Sequence, residues 1–266
     1  MAYLNIARAV TEGLGLSPKP EPASGWSWRL WRHYEQVVKH VPTDCPLCQG
    51  RARGGRLCVG CLSDVAQSWR TVPARCSVCC LALSKSNVAC PDCEQQKPAF
   101  DQVIAAFDYQ APGDLLIQHF KAGRRFGMAR MLAEMLVQAV DAATPGLPRN
   151  TILVPVPASR ASILERGFNP SAEIARYLAH QLNLPCRPDL LTRHSEGSRQ
   201  KHLTRAQRAQ SALELYRCSV RVEPAPIAVV DDVLTTGSTL HGIASQFKRA
   251  GATSVYGLVL ARTPYR

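Results

Sequence analysis

Residues 227–251 read IAVVDDVLTTGSTLHGIASQFKRAG, and the order of polarity along them decides the fold. Ile227, Ala228, Val229 and Val230 form an apolar run with β-branched residues, the pattern of a strand buried on both faces. That strand is expected to stop at two adjacent carboxylates, Asp231 and Asp232. A polar loop follows, Thr235, Thr236, Gly237, Ser238 and Thr239, and then a helical pattern with Ile243 and Phe247 on one face, ending at Gly251.

Each part of this strand, acidic pair, hydroxyl-rich loop and helix has a chemical use. Backbone N–H groups at a helix start, beside hydroxyl side chains and a glycine that permits close approach, make a cradle for a phosphate. Carboxylates repel phosphate, so Asp231 and Asp232 suit a different group, either a sugar diol or a bound Mg²⁺. A ribose 5-phosphate carries both features. No lysine follows the glycine as a Walker loop requires, and one glycine stands where a dinucleotide fingerprint has three. The stretch VVDDVLTTGST resembles the phosphoribosyl pyrophosphate (PRPP) loop of type I phosphoribosyltransferases.

Upstream, residues 152–156 read as a second apolar strand, followed by Ser159 and Arg160, then by Arg166 and Asn169, and by a helix over 171–182. In an open parallel sheet ligands collect outside the carboxyl ends of strands, so this strand end should face the same crevice as Asp231. Arg160 and Arg166 would then meet a pyrophosphate by bidentate contacts. The resemblance to type I phosphoribosyltransferases implies that role for Ser159 and Arg160. Residues 100–109 (FDQVIAAFDY) read as another strand and 254–260 (SVYGLVL) as an edge or near-edge strand. Phe107, Tyr109 and the tail near Arg262 are the candidates for recognising an acceptor group.

The chain has 32 lysines and arginines against 20 acids, a formal net charge of +12, which points to polyanionic partners. Two basic stretches stand out. Lys121, Arg124 and Arg125 lie between Phe120 and Phe126, a combination that suits single-stranded nucleic acid or a solvated face. Residues 193–208 (RHSEGSRQKHLTRAQR) include Arg193, Arg199, Lys201, Arg205 and Arg208, and read as a basic loop that could close over a departing pyrophosphate or contact DNA phosphates.

Eleven cysteines include four Cys-x-x-Cys pairs: Cys45 with Cys48, Cys58 with Cys61, Cys76 with Cys79, and Cys90 with Cys93. Two residues between thiolates let a tight knuckle present both sulfurs to one tetrahedral ion, and two knuckles complete a closed site. Near-equal gaps make 45–61 and 76–93 a duplicated unit, so the expectation is two Zn²⁺ with sequential pairing, although spacing alone allows a crossed one. The region is too short for a core of its own, so metal removal should unfold it and leave the second half intact. Arg51, Arg53, Arg56, Arg70, Arg75 and Lys85 tilt it toward nucleic acid.

No apolar run reaches the length of a membrane span, and no compact apolar signal core is present, so a cytoplasmic location is expected. Residues 26–40, which hold three of the four tryptophans, read as a helix docked on the main body or contacting a partner or a membrane surface.

With the cysteine pairs, VPVP, ERGFN, RQKHLTRAQR and VVDDVLTTGST in this order, the chain from about Cys45 onward resembles the ComF family of competence proteins. The resemblance implies an α/β fold of type I phosphoribosyltransferase kind, a parallel sheet with helices on both faces, preceded by a zinc-ribbon region. The implied domains are a helical extension over 1–42, a double zinc ribbon over 43–96 and the phosphoribosyltransferase-like domain over 97–266. It also implies a role in handling incoming single-stranded DNA beside a DNA-translocating ATPase. Three uses of the crevice follow: PRPP or ribose 5-phosphate binding with Mg²⁺ in a DNA-handling protein, transfer of phosphoribose to a nucleobase-like acceptor with Asp231 and Asp232 on the ribose, or PRPP-responsive regulation.

Overall fold

The structure, a computed structural model, describes residues 37–85, 88–122, 127–194, 215–218 and 224–265. Residues 42–266 make one compact unit, which begins with two small cysteine modules of the same plan. In the first, β1 (Pro42–Asp44) pairs antiparallel with β2 (Arg51–Arg53), and α1 (Val59–Thr71) follows. In the second, β3 (Ala74–Arg75) pairs antiparallel with β4 (Ala82–Leu83), and α2 (Pro91–Gln95) follows. Strands this short are held by the cysteine knuckles between them rather than by their own ladders.

The main sheet opens with β5 (Gln102–Asp108), continues through α3 (Gly113–Ala122) and α4 (Met128–Ala142) to β6 (Ile152–Pro155), then through α5 (Arg160–Arg166) and α6 (Pro170–Leu182). A small antiparallel leaf of β7 (Leu191–Arg193) and β8 (Tyr216–Cys218) precedes β9 (Pro226–Leu234), α7 (Ser238–Ala250) and β10 (Ser254–Arg262). The four long strands are all parallel, in the order β5-β10-β9-β6. β10 therefore lies second from the edge, beside β5, the near-edge place expected from the sequence. It also runs on to Arg262, paired with β5 on one side and β9 on the other.

Alternation along the strands assigns the two faces. Ala228 and Val230 join Leu116, Ile117 and Phe120 of α3, Leu132 and Leu136 of α4, and Ile174 and Leu178 of α6 in one apolar layer. Ile227 and Val229 join Leu240, Ile243 and Phe247 of α7 in the other. Both faces of β9 are thus covered, which is why its sequence is a continuous apolar run. The first cysteine module packs into the α4 layer through Leu57 and Val65, and the second into the α7 layer through Cys79 and Leu81.

α7 owes its placement to three glycines. Gly237 takes a left-handed φ of 77° before the first turn, and Gly251, at φ 111°, ends the helix, with the N–H of Ala252 donating to the carbonyl of Phe247 at 3.0 Å. A Cβ on Gly257 of β10 would stand 2.5 Å from Cδ2 of Leu240, so only glycine lets the helix start press against the strand.

Among the described residues no helix is long and apolar enough to cross a membrane. The tryptophan-rich stretch 26–36 lies outside the described residues, as do Arg124, Arg125, Arg199, Lys201, Arg205 and Arg208.

Candidate functional site

β9 does not stop at the acidic pair. Its pairing with β6 ends at Pro155 opposite Val230, closed by the N–H of Val156 donating to the carbonyl of Val230 at 2.9 Å, while β9 continues beside β10 to Leu234. Asp231 and Asp232 consequently stand where β9 outruns β6, at the carboxyl end of the sheet, the usual place for a ligand crevice.

The stretch after β6 is shaped to meet them. Ser159 caps α5, its Oγ accepting the N–H of Ser162 at 3.1 Å, and Gly167 ends the helix at a left-handed φ of 85°. Phe168 is buried with its ring 5.3 Å from that of Phe120. Asn169 then caps α6, accepting from the N–H of Ser171 at 3.1 Å, while its Nδ2 donates to the carbonyl of Val156 at 3.0 Å. This ties the start of α6 to the end of β6 and delivers Ser171 to the acids: its Oγ donates to Oδ1 of Asp231 at 3.0 Å. The N–H of Asp232 donates to the same oxygen at 2.9 Å. On the far side Lys121, at the end of α3, places Nζ 2.9 Å from Oδ2 of Asp232.

Burial, and after it the charge of Asp232, pushes the Asp231 carboxyl up to about 7; the hydrogen bonds from the Asp232 N–H and Ser171 and the charge of Lys121 oppose the shift. A carboxyl that changes charge near neutrality, next to a second one, suits a diol or a cation that binds the ionised form.

The phosphate-loop residues are brought together, with distinct exposures. Thr235 is exposed, Thr236, Gly237 and Thr239 are half-buried, and Ser238 is buried with its Oγ 2.9 Å from Oγ1 of Thr236. Ser238 therefore stiffens the turn, with its N–H also directed at Oγ1 of Thr236 at 3.5 Å. Arg160 and Arg166 begin and end α5, roughly 9 Å apart along its axis at 1.5 Å per residue. Arg193 donates to the hydroxyl of Tyr216 at 3.2 Å. Burial raises the Tyr216 hydroxyl above its usual range, Arg193 opposes this, and the charges of Asp231 and Asp232 add to it.

The cysteine sulfurs gather as Cys45, Cys48, Cys58 and Cys61 and as Cys76, Cys79, Cys90 and Cys93, all within 4.8 Å of one another in each group. This is the sequential arrangement. Separations of 3.7 Å (Cys48 to Cys58), 3.8 Å (Cys76 to Cys93) and 3.5 Å (Cys79 to Cys90) are close to the edge of about 3.8 Å that a tetrahedron with metal–sulfur bonds of about 2.3 Å requires. Backbone N–H groups of Gly50, Cys58, Cys61 and Cys79 point at ligand sulfurs at 3.4–3.5 Å, the knuckle geometry that stabilises thiolate. A hydrogen bond from Cys79, working against burial, holds Cys76 down to about 4, while that same hydrogen bond and burial push the Cys79 thiol up and burial pushes Cys93 up to about 12. Both sites fit Zn²⁺, which in a closed four-sulfur site supplies fixed geometry and no open position for a substrate. Cys80, Cys186 and Cys218 lie outside both groups.

Several residues singled out from the sequence have other work. Arg75 makes a bidentate pair with the buried Asp108 at 2.9 and 2.7 Å and lies 3.5 Å from the centroid of the Trp69 ring, so it is an internal brace rather than a nucleic-acid contact. Arg56 pairs with Glu134 at 2.7 Å. Phe107 is fully buried and cannot line an acceptor pocket; Arg262 is 2% exposed, while Tyr265 in the tail beside it is exposed and Tyr109 is half-buried. Lys121 belongs to the acid pair. Ser171 and Asp92, which engages Arg262, carried no sequence signal, because a serine in a helical first turn and an acid inside a cysteine knuckle are common surface choices.

A four-stranded parallel sheet with helices on both faces, joined to two four-cysteine modules, defines the class of protein. No family model matches the chain. Among curated proteins it is similar to the DNA utilization protein YhgH of Salmonella typhi, 32% identical over 206 residues that cover 77% of this chain and 91% of that protein. The YhgH of Escherichia coli strain K12 is 31% identical over 225 residues, 84% of this chain and 98% of that one. Competence protein F of Haemophilus influenzae is 30% identical over 226 residues, 82% of this chain and 96% of that one. The chain belongs to the ComF family.

Proposed function

We propose that this ComF-family chain handles incoming single-stranded DNA in natural transformation and that its crevice binds PRPP or a related ribose 5-phosphate together with Mg²⁺. The names of its relatives, competence protein and DNA utilization protein, support the first half. The second half rests on one observation: Asp231 and Asp232 stand past the end of β6, one short threonine loop ahead of the glycine-led start of α7. In this reading the 5-phosphate lies on the first turn of α7 and on Thr235, Thr236 and Thr239, and the ribose hydroxyls replace Lys121 at the acid pair. Asp231 and Asp232 would also be the residues to hold Mg²⁺ if it enters with the ligand, and the ion would supply positive charge against the phosphates. The excess of basic residues supplies attraction for DNA phosphates.

Calorimetric titration with PRPP tests the pocket. The full chain should bind, and the Asp231→Ala, Asp232→Ala double variant should lose binding while remaining cooperatively folded; retention of binding would refute the diol assignment. Single-stranded DNA should be retained on the protein with a steep loss as salt rises, and absence of retention at low salt removes the DNA-handling half. Transformation efficiency of cells carrying the double variant joins the two halves. Pyrophosphate release with Mg²⁺, PRPP and a panel of bases separates a transferase from a binding protein.

A further inference from the structure

Arg262, at the end of β10, is 2% exposed, and its guanidinium faces two elements at once. On one side Nε donates to the carbonyl of Cys79 at 3.0 Å, and Nη2 meets Oδ2 of Asp92 at 2.6 Å and stands 4.0 Å from Sγ of Cys79. Cys79 is a ligand of the second cluster, and Asp92 lies inside its Cys90-Pro-Asp-Cys93 knuckle. On the other side Nη1 donates to the carbonyls of Leu234, Thr235 and Thr263, at 3.4 Å for Leu234 and 2.8 Å for Thr263. Leu234 and Thr235 are the two residues that lead into Thr236 and Gly237.

This contact orients the loop. A trans peptide holds its C=O and the following N–H in one plane and pointing in opposite directions. Fixing the carbonyls of Leu234 and Thr235 on Arg262 therefore turns the N–H groups of Thr235 and Thr236 away from the second cluster. A partly open cavity lined by Asp92, Cys93, Thr236, Gly237, His241 and Arg262 lies between cluster and loop, so both border the same small space. A second arginine–aspartate pair runs the opposite way, from Arg75 of the module to Asp108 at the end of β5, and fastens the same module to the same edge of the sheet.

We propose that Arg262 is a positioning residue through which the second cysteine cluster, with its metal bound, holds the phosphate loop in its ligand-ready shape. The second module is then part of the ligand site rather than a separate finger. The proposal rests on the ribose-phosphate reading for its ligand, but the state of the loop can be measured without one.

The decisive measurement is amide hydrogen exchange of the full-length protein, with bound zinc counted by native mass spectrometry. Asp92→Asn and Arg262→Lys should keep both metal ions, exchange about tenfold faster across residues 235–241, and leave α4 unchanged. Cys93→Ser should lose one ion and show the same local loosening. Titration with ribose 5-phosphate should show about tenfold weaker binding in Asp92→Asn. Wild-type exchange over 235–241 in Asp92→Asn and Arg262→Lys, with metal retained, overturns the proposal, and so does loosening spread equally over α4. If wild-type protein binds no ribose 5-phosphate, the ribose-phosphate reading fails by itself, and the exchange data still decide whether Arg262 sets the loop.

Discussion

The ammonium of Lys121 lies 2.9 Å from Oδ2 of Asp232, with the two side chains only 28% and 15% exposed. The last turn of α3 thus supplies a cation to a pair of carboxylates carried by a different strand. Such a pair is shielded enough from water to exceed the small contribution of a surface ion pair. It also marks the group that a ligand diol or a metal ion has to displace.

Removing that cation should be felt at the neighbouring acid. The charge of Lys121 opposes the upward shift of Asp231, so Lys121→Met should move the Asp231 titration further above about 7. Following the Asp231 carboxyl carbon by NMR across pH 5–9 gives the midpoint. An unchanged or lower midpoint would show that Lys121 does not act on the pair.

Asp231 should also write itself into the pH dependence of stability. Its folded carboxyl titrates near 7 against an ordinary 3.8, so the folded state holds a proton that the unfolded state releases. The group therefore weakens the fold above about 7, and this penalty fades as pH falls and vanishes below about 4. Asp231→Asn should melt higher than wild type at pH 8, on the order of 5 °C for a few kcal/mol, with the gap closing toward pH 4. A gap that widens on acidification contradicts the assignment.

Arg75→Ala should be costly because Asp108, 3% exposed, would be left buried without its partner. The expected loss is about 3 kcal/mol in chemical denaturation. The double variant Arg75→Ala, Asp108→Asn should recover part of it, since no bare charge remains. A single variant that loses less than about 1 kcal/mol would place the pair among ordinary surface bridges.

Metal removal should reach beyond the cysteine modules, contrary to what their sequence separation suggests. The second module contributes Cys79, Leu81 and Cys90 to the α7 layer, and the N–H of Val103 in β5 donates to the carbonyl of Val78 at 2.7 Å. Chelation should therefore lower the melting temperature of the sheet and speed exchange at the Val103 amide. An unchanged sheet transition after both ions are stripped would show that the sheet stands alone.

The apolar runs 227–230, 152–156 and 254–260 marked three parallel strands, because a strand covered on both faces has nowhere to put a polar side chain. The four Cys-x-x-Cys pairs were as legible, since only a two-residue gap lets both sulfurs reach one ion. Less visible was the strand order. Ser254–Arg262 ends the described sheet in sequence yet sits between β5 and β9, because its pairing depends on where the crossover of α7 returns it.

The sequence by itself determined the chemistry available: two acids, a threonine loop led by a glycine, and eight paired thiols, each a local pattern with a local cause. Only the tertiary structure decided which distant groups work with them. Ser171 and Lys121 meet the acids, and Arg262 meets both Asp92 and the carbonyl of Thr235, through contacts between elements that lie far apart along the chain. Such contacts leave no periodicity to read, because a side chain's partner across a packed interface is fixed by how helices and strands are stacked and not by its neighbours in sequence.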